Sequence, residues 1–473
     1  MLMLIIFLTL IVLICLNVPI AVALAVSGVV GLLVNEGTSS LVTVALDMYD
    51  GATKFSLIAI PMFVLAGAIM NAGGVTDRLI AFVTAIVGFI RGGLAMVNIG
   101  VSLFFAEISG SAVADVAALG SVLIPQMKKR GYSAPFSAAV TSSSASLAII
   151  IPPSIPMILY ATSANTSVEQ LFVAGFVPGL LGAAGLMGVA YAFARRYNLP
   201  TEEAFNVKRL RETFVDALPA FSLPIIILGG IFGGIVTATE AAGLAVLAAL
   251  VVSGWYDAAD AVELAGAAAS HDEEVATWGE WLVETAIPSL ATLVVSVVTL
   301  GLRNRSKRAR LRRAMLDGGM QTAVVMVLVA ASVLMGGFLT RAQIPQELAA
   351  SILAFTDKTW VILLILNVFF LIVGFFLHSA AAIILVIPIV IPLIQQAGID
   401  PVHFGLIVTL NLAIGQQTPP VASVLITACS VANARIWDVT KVNVYFVAVL
   451  LTVLLICTYV PAVPMFLVEY FYR

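Results

Sequence analysis

The sequence predicts an all-α polytopic membrane protein organised as an inverted repeat, with two re-entrant helical hairpins and two broken helices. Three observations carry that expectation. Of 473 residues, 61% are hydrophobic and only 10% charged, with mean hydropathy +1.10, whereas soluble domains carry about 25% charged residues. Apolar segments long enough to cross or enter a bilayer follow one another along the whole chain. Two double prolines interrupt such segments at positions 152 and 419, a separation of 267 residues.

The N-terminal stretch, Met1 to Leu16, is apolar but has no basic n-region, and Asn17-Val18-Pro19 is not a small-residue cleavage site. It reads as a retained helix. Further apolar stretches run over 18–34, 56–72, 79–90, 93–127, 134–163, 168–194, 217–236, 239–254, 286–302, 319–339, 345–395, 402–432 and 443–471. Cys15, Cys429 and Cys457 each lie in one of these runs, as small buried hydrophobes, without a disulfide framework or metal site. With net charge −3 the chain has no basic surface for nucleic acid.

Four polar stretches punctuate the series. Asn35 to Lys54 carries Asp47, Asp50 and Lys54; Arg195 to Arg211 mixes cations with acids; Trp255 to Glu284 is acidic. Arg303 to Arg313 contains seven cations: Arg303, Arg305, Lys307, Arg308, Arg310, Arg312 and Arg313. Such a cluster marks a cytoplasmic loop, or a helix lying on anionic headgroups of the same face.

The prolines carry more information than the apolar runs. Proline lacks an N–H, clashes with the preceding turn, and drives the residue before it out of the α region. Pro152-Pro153 and Pro419-Pro420 should therefore break their helices, although a kink satisfied by neighbouring helices is the simpler alternative. In hydrocarbon each carbonyl freed by a break costs several kcal/mol unless protein, water or an ion meets it. The two regions are also related. Ile124-Pro125 matches Ile391-Pro392, Gly131 matches Gly398, Ala161 matches Ala428 and Ser163 matches Ser430, all at the same 267-residue offset. A constant offset of this kind marks an internal repeat.

Upstream of each break, two short apolar arms flank a polar tip, at Glu107–Ser111 and at Leu377–Ser379. This reads as a re-entrant hairpin, with a tilted pair of spans as the alternative. Arg91 and Lys128-Lys129-Arg130 flank the first hairpin, whereas Asp357-Lys358, Gln395-Gln396 and Asp400 flank the second. The positive-inside rule then puts the hairpins on opposite faces. Inverted repeats with broken helices are the layout of secondary transporters, with substrate and coupling ion near the midplane.

A family resemblance appears in Ser109-Gly-Ser-Ala-Val-Ala-Asp-Val-Ala-Ala-Leu-Gly120, Ile124-Pro125, Lys129-Arg-Gly-Tyr132 and Ile151-Pro-Pro-Ser-Ile-Pro156. It continues in Ala59-Ile-Pro-Met-Phe-Val-Leu-Ala-Gly67, Gly229-Gly-Ile-Phe-Gly-Gly234, Thr239-Glu-Ala-Ala242, Gly398-Ile-Asp-Pro-Val-His-Phe-Gly405 and Asn411-Leu-Ala-Ile-Gly415. With these motifs the chain resembles the large membrane subunit (DctM-like) of TRAP, or tripartite ATP-independent periplasmic, transporters, over nearly its whole length.

The resemblance implies an elevator-type, sodium-coupled importer of small organic acids in a bacterial or archaeal cytoplasmic (inner) membrane, with Na+ as coupling ion and no cofactor. Its implied partners are a small four-helix membrane subunit, a periplasmic substrate-binding protein and the lipid bilayer. No P-loop motif is present, which suits an ion-driven system. A first sodium site would use Ser109 with the carbonyls of Ala148, Ile151 and Pro153; a second would use Gly415, Thr418 and Pro420 with Ser379. Ser111, Asp115, Ser142, Ser144, Ser154, His378 and Ser423 are the candidates for the substrate pathway. For each hydroxyl singly, a bond back to its own helix is the competing reading. Glu107, Asp115 and Glu240 are charged residues within apolar runs, with Glu240 expected to cap a helix start after Thr237 and Thr239.

On this basis the chain divides into scaffold and arm helices with the start of the first half (1–90), a first hairpin and broken helix (91–165), connecting and scaffold helices (166–253), an atypical acidic then basic insertion (254–313), scaffold and arm helices (314–356), a second hairpin and broken helix (357–433) and a C-terminal helix (434–473). Three features depart from the family pattern: the serine-rich run Ser142–Ser146, His378 with Gln416-Gln417, and the insertion, which contains the apolar stretch Ala286 to Leu302. Two other functions stay open. One is a binding-protein-independent sodium/dicarboxylate symporter of related fold; the other is an intramembrane enzyme or scaffold. Against an enzyme, His271, His378 and His403 show no metal-ligand spacing.

Overall fold

The computed structural model describes the chain except residues 1, 17, 203, 270–304, 420, 421 and 473. The stretch 286–302 and Pro420 therefore lie outside the described residues. Among those described there are helices and turns but no strand, as expected where backbone groups must be satisfied within each segment. Exposed apolar side chains such as Trp360, Val368, Ile372, Val444 and Leu455 cover surfaces that bilayer lipid would meet.

The first helices are α1 (Leu2–Cys15), α2 (Ile20–Glu36), α3 (Leu41–Ala52), α4 (Ala59–Ala72) and α5 (Val75–Val87). Helices α3 and α4 belong to a pair bent by 54°. Next come α6 (Gly93–Ser109) and α7 (Ala112–Lys129), joined by Gly110 and Ser111, then α8 (Ala134–Ala145), a 3-10 turn at Ser146–Ile149, and α9 (Ile155–Ala164). The break between α8 and α9 contains Pro152-Pro153, whose peptide bond is cis. Ser133, Ser154 and Ser167 cap α8, α9 and α10 (Val168–Arg196) by accepting N–H bonds from Phe136, Met157 and Gln170.

Helices α11 (Val207–Ala217) and α12 (Ser222–Phe232) form a second bent pair, at 58°. Helix α13 (Ala238–Ala269) follows, and its start is capped as expected: Glu240 Oε2 accepts from Thr237 N and Oγ1, both at 2.9 Å. After the undescribed stretch comes α14 (Arg305–Arg341). From Arg305 onward the basic cluster is thus the first turns of one long helix, the helical one of the two readings left open in the sequence. Arg, Lys and Leu propagate helix well, and no Gly or Pro interrupts the run before Gly318.

The second half comprises α15 (Ile344–Phe355), α16 (Thr359–Phe376), α17 (Ser379–Gln396), α18 (Pro401–Gly415), α19 (Ser423–Ala432), α20 (Ile436–Tyr459) and α21 (Ala462–Tyr472). The C-terminal stretch read as one helix is two, because Pro461 cannot continue α20 and Pro464 opens the next turn. The repeat survives in the element boundaries: Ala112 and Ser379 start α7 and α17, and Ala134 and Pro401 start α8 and α18, each pair 267 residues apart. Helices α9 and α19 both end on an asparagine in the left-handed region, Asn165 and Asn433.

Two hydrogen bonds fix the relation of the repeats. Lys128 Nζ, at the base of the first hairpin beside the start of α8, donates to the Ala432 carbonyl at the end of α19, at 3.0 Å. Tyr160 Oη, near the end of α9, donates to the Pro401 carbonyl at the start of α18, at 2.8 Å. The start of one broken helix therefore lies beside the end of the other, so the two run antiparallel. Packing agrees, with α8 and α7 against α19, and α9 against α17 and α18. The hairpin bases consequently lie on opposite sides.

Both hairpin tips stop at the level of a break. A Cβ on Gly110 would lie 2.7 Å from the Pro153 carbonyl oxygen. In the second repeat, a Cβ on Gly415 would lie 2.5 Å from the Gly374 carbonyl carbon. A hairpin whose turn meets the middle of a two-part helix is re-entrant, which decides against a pair of complete spans.

Around this core, α2, α3, α4, α13 and α14 pack as a frame. Arg341 ties three of them together, with Nη2 at 2.8 Å from Asp47 Oδ2 and Nε at 3.6 Å from Glu36 Oε1. Two predictions follow from this arrangement. Thiol labelling of Lys129→Cys and Gln396→Cys is expected from opposite faces; labelling of both from one face would refute the inversion. Gly398 is at φ +67° with open space around it, so Gly398→Ala should cost about 1–2 kcal/mol. Gly415→Ala drives a methyl into backbone that cannot swing aside, and its loss of thermal stability should be clearly the larger.

Candidate functional site

The site is the region where both breaks and both hairpin tips meet. The two breaks are joined directly. Ser143 Oγ lies 2.8 Å from Gln417 Oε1 and 2.7 Å from Asn443 Oδ1, and its one proton serves one of them. Gln417 Nε2 donates to Ser146 Oγ at 2.6 Å, while Asn443 Nδ2 donates to the Gln417 carbonyl at 3.1 Å. All four side chains are buried. In a low-dielectric interior such a network holds its members in one geometry, because parting them leaves bare polar groups.

Each hairpin is also tied to its own broken helix. In the first repeat, Asn98 Nδ2 donates to Thr141 Oγ1 at 2.7 Å and Ser102 Oγ to Ser144 Oγ at 2.9 Å, joining α6 to α8. In the second, Asn411 Nδ2 donates to Asn367 Oδ1 at 2.6 Å, joining α18 to α16, and Asn367 continues to Thr458 on α20 at 3.2 Å. Ser144 and Asn411 stand 267 residues apart, so the clamp occupies one register position in both halves.

The proposed ion ligands lie at these breaks. Ala148 lies within the 3-10 turn, and Ile151 and Pro153 follow it in the unwound segment; all three are buried. Among the described residues no N–H donates to the carbonyl of Ile151, Pro153 or Thr418. Ser109 is the last residue of α6, one position before the Gly110 that approaches Pro153. In the second half, Gly415 ends α18, the Thr418 hydroxyl donates back to Ile414 at 3.0 Å, and Ser379 is buried at the start of α17.

The candidate pathway residues separate. Ser111 caps the start of α7 by position, and Asp115 is fully buried in its first turn. Ser142 bonds back to Ala139, and Ser144 faces α6 as part of the clamp. Ser154 Oγ donates to the Ile149 carbonyl at 2.7 Å while capping α9, so it stabilises the break itself. His378 occupies the N-cap position of α17 and is exposed, without a side-chain capping bond. Ser423, in the first turn of α19, donates to Gln416 Oε1 at 3.3 Å. Asn98, Ser102, Asn367 and Asn443 were not among the sequence candidates. Their signal was a polar side chain, mostly an amide, inside an apolar helix, where burial demands a partner.

Eight helix ends surround the site. Helices α7, α9, α17 and α19 begin there, where first-turn N–H groups lack partners within the helix, while α6, α8, α16 and α18 end there, where last-turn carbonyls lack them likewise. Some are met locally, as Met157 N is by Ser154 Oγ and Val424 N by the Gln416 carbonyl. The first set carries the positive end of the helix dipole and the second the negative end. Without one Arg or Lys in either break, the site can meet anions and cations at once.

A family model described as "Tripartite ATP-independent periplasmic transporter, DctM component" matches residues 7–463. The isethionate TRAP transporter permease protein DctMQ of Oleidesulfovibrio alaskensis is 36% identical over 95% of this chain, which spans 64% of that relative's length. The C4-dicarboxylate TRAP transporter large permease protein DctM of Vibrio cholerae is 34% identical over 94% of this chain and 92% of its own. Among solved structures, the YdaH transporter of Alcanivorax borkumensis has TM-score 0.57 at 14% identity, covering 90% of this chain and 89% of that one, a likeness of fold alone. The chain belongs to the DctM component family of tripartite ATP-independent periplasmic transporters.

Proposed function

We propose that this chain is the large permease subunit of a sodium-coupled importer of small organic acids in the bacterial inner membrane. A periplasmic binding protein delivers the substrate, and a small four-helix membrane subunit completes the complex. The observation that supports this reading best is the set of eight helix ends at the breaks. Sodium is a hard cation that takes oxygen ligands, and Ile151, Pro153 and Thr418 offer carbonyls that no described N–H uses. An organic acid needs donors, and the starts of α7, α9, α17 and α19 supply them without a fixed cation. Named relatives handle anions of two kinds, a sulfonate (isethionate) and C4-dicarboxylates.

The mechanism follows from what is rigid. Polar clamps bind each hairpin to its own broken helix, and the Ser143, Ser146, Gln417 and Asn443 network joins the two, so α6 to α10 and α16 to α20 move as one unit against the frame, in elevator fashion. Sodium bound at a break joins a hairpin tip to the unwound helix and organises the helix starts beside it. Substrate then binds better with sodium present, and by linkage sodium binds better with substrate.

Two outcomes are expected. Sodium, but not potassium, should raise the melting temperature of the purified protein, by about 2.7 kcal/mol of stabilisation at a hundred-fold excess over Kd. Pro152→Ala with Pro153→Ala, or Pro419→Ala with Pro420→Ala, removes residues that each disfavour helix by about 3 kcal/mol. Both double variants should lose the sodium-induced shift; retention of the wild-type shift would show that the breaks do not hold the ion. In proteoliposomes, isethionate or C4-dicarboxylate uptake should require sodium and a cognate binding protein. Uptake with neither would favour the binding-protein-independent symporter.

A further inference from the structure

The ends of α9 and α19 are treated differently. Both helices finish on an asparagine in the left-handed region, and each receives a lysine on a terminal carbonyl. Lys128, which meets Ala432 at the end of α19, stands on the hairpin packed against it. The lysine at the end of α9 comes from elsewhere. Lys54, on the bent link between α3 and α4 of the frame, donates from Nζ to the Thr162 carbonyl at 3.2 Å. A second contact lies a few residues further along the chain. Glu169, in the first turn of α10, accepts from Ala238 N, at the start of α13 in the frame, with Oε1 at 3.1 Å. Its other oxygen, Oε2, accepts from Ser167 Oγ at 2.8 Å.

Each contact sets a charge against the complementary end of a helix: a cation on the C-terminus of α9 and an anion on the N-terminus of α13. They run in opposite senses: a frame cation meets core helix α9, and an anion of α10, which packs against core helices α6, α9, α18 and α20, meets a frame helix. Both are at the face opposite Lys128, and both involve the short segment that turns α9 into α10. None of the four groups belongs to the ion or substrate site.

We propose that Lys54 and Glu169 form an electrostatic latch that fastens the turn between α9 and α10 to the frame in one end state of the transport cycle, and that must open at every turnover. The latch rests on the proposed movement of the core against the frame. Within one state it holds the two bodies in register. Because its partners are helix ends, released groups rehydrate at the membrane surface, so opening strands no charge in hydrocarbon.

The test is cross-linking in a background with Cys15, Cys429 and Cys457 changed to Ala. Lys54→Cys with Thr162→Cys should cross-link with a bis-thiol methanethiosulfonate reagent, and the linked protein should lose sodium-driven isethionate or C4-dicarboxylate uptake by at least about ten-fold, or 1.4 kcal/mol. Reduction should restore it. Lys128→Cys with Ala432→Cys, internal to the core, should cross-link without that loss. Failure of the first pair to link with short or longer reagents, or full uptake by the linked protein, overturns the latch. In the second case uptake itself persists, so the transport reading stands while the movement at this contact does not. In a further arm, Lys54→Met should slow Glu169→Cys to Ala238→Cys cross-linking by about two- to five-fold, the range for a charge at a helix end. An unchanged rate would mean that the two contacts do not hold a common state.

Discussion

Everything in this fold depends on what proline does to a helix that cannot turn to water. Pro152-Pro153 and Pro419-Pro420 remove donors and push backbone out of the helical region in the middle of apolar segments. In the bilayer the carbonyls so released are costly unless something fills their place. The protein answers by bringing a hairpin tip to each break, close enough that Gly110 and Gly415 have no room for a side chain. The antiparallel pairing of the broken helices then sets both breaks side by side, joined through Ser143, Ser146, Gln417 and Asn443. An arrangement that looks like a defect in either helix alone becomes a shared polar centre.

The same physics decides where polar side chains stand. Hydrophobic attraction between helices is weak in lipid, so close packing and interhelical hydrogen bonds hold a membrane protein together. The clamps Asn98–Thr141, Ser102–Ser144 and Asn367–Asn411 do this between each hairpin and its broken helix. Ion pairs are kept to the margins, as at Arg341 with Glu36 and Asp47, where headgroup water lowers the cost of charge. A core stiffened by neutral hydrogen bonds and a frame fastened by peripheral charges are two bodies with different interiors, which suits movement between them.

Much of the architecture was legible without coordinates because its causes are local. Proline pairs break helices wherever they occur, and a 267-residue offset survives in element boundaries because the double prolines recur at that spacing, although the caps differ, with Ser133 before α8 and Asp400 before α18. The capping role of Glu240 likewise needs only Thr237 three residues earlier. What stayed open was also local in origin. A run of cations says which face of the membrane it prefers but not whether it is coiled, so loop and helix were both open for the stretch that begins α14. The C-terminal stretch hid a break at Pro461, because one proline is a weaker signal than two.

The sequence by itself determined the solvent, the helical class, the positions of the breaks and the inversion of the repeats, since composition, proline chemistry and charge asymmetry act within a few residues. Only the tertiary structure decided which serines face which partner. Ser142, Ser143 and Ser144 are indistinguishable in the sequence, yet one bonds back to its own helix, one spans both breaks and one clamps a hairpin. Successive residues on a helix point about 100° apart, so three neighbours look in three directions. What lies in each direction depends on helices hundreds of residues away, and no local rule contains that information.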